Sequence, residues 1–193
     1  MMKKVVSLCL SLVMLLSVAG VIKANDTKSD TVKVTLGVAR YSQVDDRWDD
    51  KPLGVCPAGT LANAGAALVS VTMVYNYLSG ENINPEVMNE KIMGNSCAMV
   101  WGDAAKQLGI TYVGRGETNN EEVYGLVKEQ IDSDLPVILR LERELETHYV
   151  VANGYDTKNE TVAIKDPSVL EYTQLSQFLN EGWMVTQYHL YSE

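Results

Sequence analysis

A chain of 193 residues with a net charge of −9 at pH 7 is long enough for one domain with a sizeable core. Its acidic balance repels phosphate backbones and so excludes a nucleic-acid binder. Two histidines, no Glu-x-x-His pattern and no glycine-rich phosphate loop leave no case for a metal or another cofactor.

The chain opens with a short basic start, Met1 to Lys4, and an almost continuous apolar run from Val5 to Val18 that ends near Ile22-Lys23-Ala24. That pattern is a secretory signal, residues 1–24. The run is too short for a comfortable transmembrane helix and no second one follows. An uncleaved N-terminal anchor is the alternative. Cys9 sits inside the run with no lipobox around it. Cleavage after Ala24 leaves 169 residues (193 less 24) and a net charge of −12 (−9 less Lys3, Lys4 and Lys23). The expectation is a protein that is secreted or associated with the cell envelope, with no stable membrane insertion once the signal is gone. Two cysteines then remain, Cys56 and Cys97, and an even count in an exported chain suggests one disulfide; two separate thiols are the alternative.

Residues 25–33 are polar and read as a flexible leader to a single domain, 34–193. Residues 32–41 alternate loosely and predict a strand or extended lead-in. Residues 45–64, rich in Asp, Gly and Pro, read as loop. From Gly65, the residues Ala66, Ala67, Leu68, Val71, Met73, Val74, Tyr77 and Leu78 recur at helical spacing, closed by Ser79-Gly80. So little charge accompanies them that the helix should be buried and central. Asn84-Pro85-Glu86 starts a second helix, residues 99–108 form a third ended by Gly109, and residues 121–133 a fourth. Strand patterns follow at 136–141 (PVILRL), 148–153 (HYVVAN), 161–165 (TVAIK, stopped by Asp166-Pro167) and 183–191 (WMVTQYHLY). Helices followed by an antiparallel meander predict an α+β domain. Trp48, Trp101 and Trp183 read as core or cleft-wall residues and His189 as structural.

Three side chains with complementary chemistry fall in a suggestive order. Gln43 precedes the buried helix and could help to hold an oxyanion. His148 opens a strand, where it could act as a base and then an acid. Asp166 closes the next strand, and its place before Pro167 holds it in the extended region, so it could orient an imidazole on the neighbouring strand. Taken singly, each has a plainer reading: a loop amide, a core histidine, an Asp-Pro turn.

The segments YSQVDDRW, TLANAGAALVSVTMVYNYLSG, LPVILRL, HYVVANGYD and AIKDP together resemble the peptidase domain of the papain-like, bacteriocin-processing (double-glycine leader) cysteine peptidases and their secreted stand-alone relatives. The resemblance covers residues 34 to about 167. It implies a papain-like α+β fold with a buried helix on an antiparallel sheet, and a site of Gln43, His148 and Asp166. It also implies a Gly-Cys pair opening the central helix, followed four residues on by Ser and three further by Met. Gly65, Ser70 and Met73 hold those places, and the cysteine position falls on Ala66, whose methyl cannot attack a carbonyl. Cys56, Ser70 and Thr60 are poor substitutes for it, because displacement of a nucleophile by even 1 Å costs on the order of a hundredfold in rate. Two functions stay open. One is a catalytically inactive module that binds a peptide or protein partner in the retained cleft. The other is an active thiol hydrolase, with Cys56 or Cys97 as nucleophile or with Ala66 introduced in place of the catalytic cysteine.

Overall fold

A computed structural model describes residues Thr31–Glu193. The expected signal sequence and all but the last three residues of the expected leader lie outside the described residues. The chain joins the sheet almost at once. β1 (Lys33–Thr35) starts one residue ahead of the expected domain boundary, and Val32 O accepts from Thr157 N at 2.9 Å.

The region read as loop contains a short helix, α1 (Leu61–Ala64). Its start is a reciprocal cap: Thr60 Oγ1 accepts from Asn63 N, and Asn63 Oδ1 accepts from Thr60 N at 2.8 Å. The central helix, α2 (Ala66–Ser79), follows and stops at Gly80 in the left-handed region (φ 70°). Leu68, Val69, Val71, Met73 and Val74 are each at most 1% exposed, so α2 is buried on most of its circumference, as its sparse charge demands. α3 (Pro85–Met93) is capped by Asn84, whose side chain accepts from Val87 N at 2.9 Å. α4 (Trp101–Leu108) and α5 (Val123–Asp132) start two residues later than the pattern suggests.

The strands are β2 (Thr111–Glu117), β3 (Val137–Arg143), β4 (Glu146–Asp156), β5 (Thr161–Lys165) and β6 (Met184–Ser192). All pairings are antiparallel, in the order β1-β4-β3-β6-β2, with β5 on β4. The meander expected from the sequence holds for β3-β4-β5, but β6 returns to lie between β3 and β2 rather than beside β5. One further helix, α6 (Leu175–Asn180), precedes it. Val137, Ile138 and Leu139 are consecutive and all fully buried, as are Val150, Val151 and Ala152. Consecutive strand residues point to opposite faces, so both faces are covered here, which is why these strands read as continuous apolar runs. The domain is α+β, and this is the sheet on which α2 rests. Among the described residues no helix is long and apolar enough to cross a membrane.

Candidate active site

The site is built where α1 hands over to α2. Gly65 ends one helix and begins the next, and a Cβ there would lie 2.3 Å from Leu61 O. Only glycine lets the backbone turn this tightly, and the turn puts the start of α2 directly against α1. Among the described residues no side chain caps α2, and its first turn has no acidic residue. The partial positive charge of its amides is therefore left without an anionic side chain. Ala66 is the first residue of α2 and is 8% exposed.

Gln43 lies against this junction. Its Nε2 donates to Ala62 O at 2.5 Å, and its backbone N–H donates to Pro167 O at 2.7 Å. It is buried, and among the described residues its Oε1 has no partner. Gln43 thus bridges α1 and the turn that follows β5.

That turn carries Asp166, which is wholly buried. One carboxylate oxygen, Oδ1, accepts from Ser168 N at 2.8 Å and stands 2.8 Å from His148 Nε2. The other accepts from Val169 N at 3.1 Å. Arg40 Nε donates to the Asp166 carbonyl at 2.8 Å. The carboxylate is fixed by its own turn before it meets the histidine. Because it takes Nε2, the ring nitrogen left over on His148 is Nδ1. Phe178 and Trp183 lie beside the imidazole, with ring centroids 5.5 and 6.2 Å away.

His148 keeps 13% of its side chain exposed and lines an open cleft of about 450 Å³. Asn63 of α1, Ser168, Tyr172 and Trp183 are among the other lining residues. Arg143 lies 4.7 Å over the Trp183 ring and is held by Glu146 at 2.8 Å. His148 and Asp166 therefore form a direct pair, Gln43 ties their turn to α1, and Ala66 begins the helix that follows α1. Asn63, Tyr172 and Phe178 carry no signal in the sequence, since they lie in segments read as loop or left unassigned. Trp183 is a cleft wall, and Trp48 is core, its indole N–H donating to Ser42 O at 2.7 Å. His189 is 2% exposed, with Trp101 stacked on it at 3.7 Å and the Tyr112 hydroxyl 2.9 Å from Nδ1.

Chemically, an oriented imidazole at the mouth of a cleft and an uncapped helix start are two parts of the frame for attack by a thiolate. At residue 66 that frame holds a methyl group. Cys56 and Cys97 are joined in a disulfide, with Cα atoms 4.7 Å apart, which ties the loop before α1 to the loop before α4. Ser70 is fully buried within α2, and among the described residues its hydroxyl has no partner. Thr60 is occupied in capping α1.

The α+β fold is that of the papain-like cysteine peptidases. The chain belongs to the Peptidase_C39-like family, whose model matches residues 35–189. No curated protein matches the chain.

Proposed function

We propose that this is an exported pseudopeptidase, which holds a peptide or an extended segment of a partner protein in the cleft beside His148 without cutting it. The observation that carries the reading is Ala66 at the start of α2, together with the Asp166–His148 pair and the bond from Gln43 to α1. The disulfide supports it, since it occupies both cysteines that could otherwise supply a thiolate. Export is supported by the basic and apolar N-terminal pattern and by the disulfide itself. The cleft offers a bound peptide an imidazole, an asparagine amide and aromatic walls. The retained His148–Asp166 pair also favours the second reading, an active peptidase in which Ala66 stands in place of the catalytic cysteine.

The test is a defined library of synthetic peptides incubated with the protein and read by mass spectrometry for both retention and cleavage. Expected are retained peptides, no new termini, and loss of retention in Thr147→Trp, which fills the cleft from an exposed strand position. Cleavage that depends on His148, or retention that ignores the blocked cleft, would overturn the proposal.

A further inference from the structure

A second groove, of about 690 Å³, contains Arg140, which points away from the His148 face of the sheet. The register sets this. Leu141 pairs with His148 across β3 and β4 and Arg140 pairs with Tyr149, and consecutive strand residues point to opposite faces. Trp101 of α4 covers the Arg140 face at Tyr149 and His189, but no residue of α4 lines the groove. There one row of side chains crosses the sheet: Arg140 of β3 pairs with Gln187 of β6, and Gln187 with Glu117 of β2. Two strand spacings, about 10 Å, separate the first from the last. The segment after β2 walls the groove and is already fixed. Thr118 N donates to Thr186 O at 3.2 Å, and Val185 N donates to Asn120 Oδ1 at 2.8 Å.

The polar groups of this groove are only partly used by the fold. Arg140 gives Nη2 to Glu142 Oε1 at 2.5 Å. Among the described residues its Nε and the Thr186 hydroxyl, both buried atoms, have no partner. An N–H without an acceptor away from water costs free energy. The Arg140 side chain is 27% exposed, so an acceptor that enters the groove meets the guanidinium. Glu117 and Glu121 line the same groove, and among the described residues neither has an ion-pair partner.

This inventory decides the charge of the occupant. A plain anion would satisfy Arg140 and meet two unpaired carboxylates. A plain cation would satisfy the carboxylates and leave the Arg140 N–H without an acceptor. A zwitterion satisfies both. We infer that this groove is a binding site for a free α-amino acid, with its carboxylate on Arg140 and Thr186 and its ammonium on Glu117 and Glu121. Its two charges leave from one carbon, which suits a row in which Gln187 alone stands between the opposite signs. Met184 pairs with Glu142, is 56% exposed and gives the ligand's side chain an apolar flank. The volume lies within the range of ligand pockets, about 300–1,000 Å³.

The experiment titrates the full mature chain, ¹⁵N-labelled, with L-leucine, with N-acetyl-L-leucine (no ammonium), with L-leucinamide (no carboxylate) and with L-leucyl-glycine, whose charges stand further apart. Leucine should move the amide resonances of Thr118, Thr186 and Gln187 together. It should bind at least about tenfold tighter than each of the other three, since each loses or misplaces a charged hydrogen bond. Glu117→Gln and Arg140→Gln should each weaken leucine by about the same factor. Glu117→Gln should leave N-acetyl-leucine unchanged, and Arg140→Gln should leave leucinamide unchanged. Loss of folding does not produce that crossed pattern. Glu117 is exposed, so its variant keeps the fold and the test stands without Arg140→Gln. Binding of N-acetyl-leucine as tight as that of leucine would make the groove an anion site, and of leucinamide a cation site; either overturns the proposal. So would dipeptide binding as tight as leucine's, leucine binding that ignores both variants, or no shift at these residues.

Discussion

His148 Nε2 lies 2.8 Å from an oxygen of Asp166 that no solvent reaches, and the same carboxylate anchors the backbone of its own turn at Ser168 and Val169. The pair therefore serves folding as well as any chemistry. Gln43 N–H reaches Pro167 O and Arg40 reaches the Asp166 carbonyl, so the turn fastens the N-terminal segment to the sheet. A protein that lost its thiol would still need this carboxylate.

Asp166→Ala should destabilise the domain by about 3 kcal/mol, because two backbone N–H groups and the imidazole all lose their acceptor in a dry site. Asp166→Asn should cost less, since its amide oxygen still accepts. Urea unfolding of the three proteins checks this. A cost for Asp166→Ala inside the error of the fit would mean that the turn holds without its carboxylate.

The disulfide should contribute about 4 kcal/mol, the chain-entropy value for closing a loop of this span; the cysteines are 41 residues apart. Cys56→Ser with Cys97→Ser, or reduction of the native protein, should lower the unfolding free energy by that order. Mass spectrometry of the unreduced protein should show two hydrogens fewer than the reduced form. Full alkylation of both thiols without a reductant would refute the bridge.

Burial beside Trp101 pushes His189 down from 6.5 to about 4, and Arg115 and Arg140 push in the same direction. The ring is thus neutral in the folded protein, while in the unfolded chain it takes up a proton near its ordinary value. As pH falls below about 6.5 the unfolded state alone gains the proton and stability drops, until the loss levels off below about 4. The loss should approach about 3 kcal/mol. His189→Phe keeps a ring for Trp101 to stack on and should flatten the stability profile between those two pH values. An unchanged acid slope in that variant would assign the slope to other groups.

The legible parts of the fold were those whose chemistry is local. The central helix stood out because a run as poor in charge as Ala66 to Leu78 has to be buried, and β3 and β4 because both of their faces are covered. β2 was missed for the opposite reason. It has no buried residue, and it carries glycines that read as loop. At Gly116 the Tyr188 ring of β6 fills the space a Cβ would need, so the glycine that hides the strand is a demand of its neighbour. α1 was hidden because its cap pairs Thr60 with an asparagine rather than a glutamate, within a stretch rich in turn residues. Gln43, His148 and Asp166 could be picked out because chain order is itself a signal in this fold. The residues that shape the His148 cleft could not, because Asn63 and Tyr172 reach it through tertiary packing alone.

Restoring the thiol is the sharpest test of how much of the site survives. Ala66→Cys places sulfur at the first position of α2, where no acidic side chain competes for the helix start and where glycine precedes it. The helix amides stabilise a thiolate, and a protonated His148 that meets it would add to that, so the thiol should ionise below its ordinary range. Ala66 is 8% exposed, so the added atom meets little open space, and a folding cost of about 1 kcal/mol is expected. Iodoacetamide should alkylate Cys at 66 in Ala66→Cys at least about tenfold faster than a free cysteine at the same pH, because reactivity follows the thiolate fraction. The excess should vanish on adding His148→Ala and fall on adding Asp166→Asn, which leaves the imidazole in place but weakens its orientation. Gln43 is the part of the frame that has to move, since its Nε2 is held by Ala62 O at 2.5 Å. One N–H of that amide remains for an oxyanion, and a single such donor can be worth about 3 kcal/mol in the transition state. Alkylation should therefore recover more fully than peptide hydrolysis, because alkylation needs no oxyanion donor. A variant that folds normally yet alkylates no faster than free cysteine would show that the imidazole and the helix start no longer act on residue 66, and the cleft would then keep the family's shape without its chemistry.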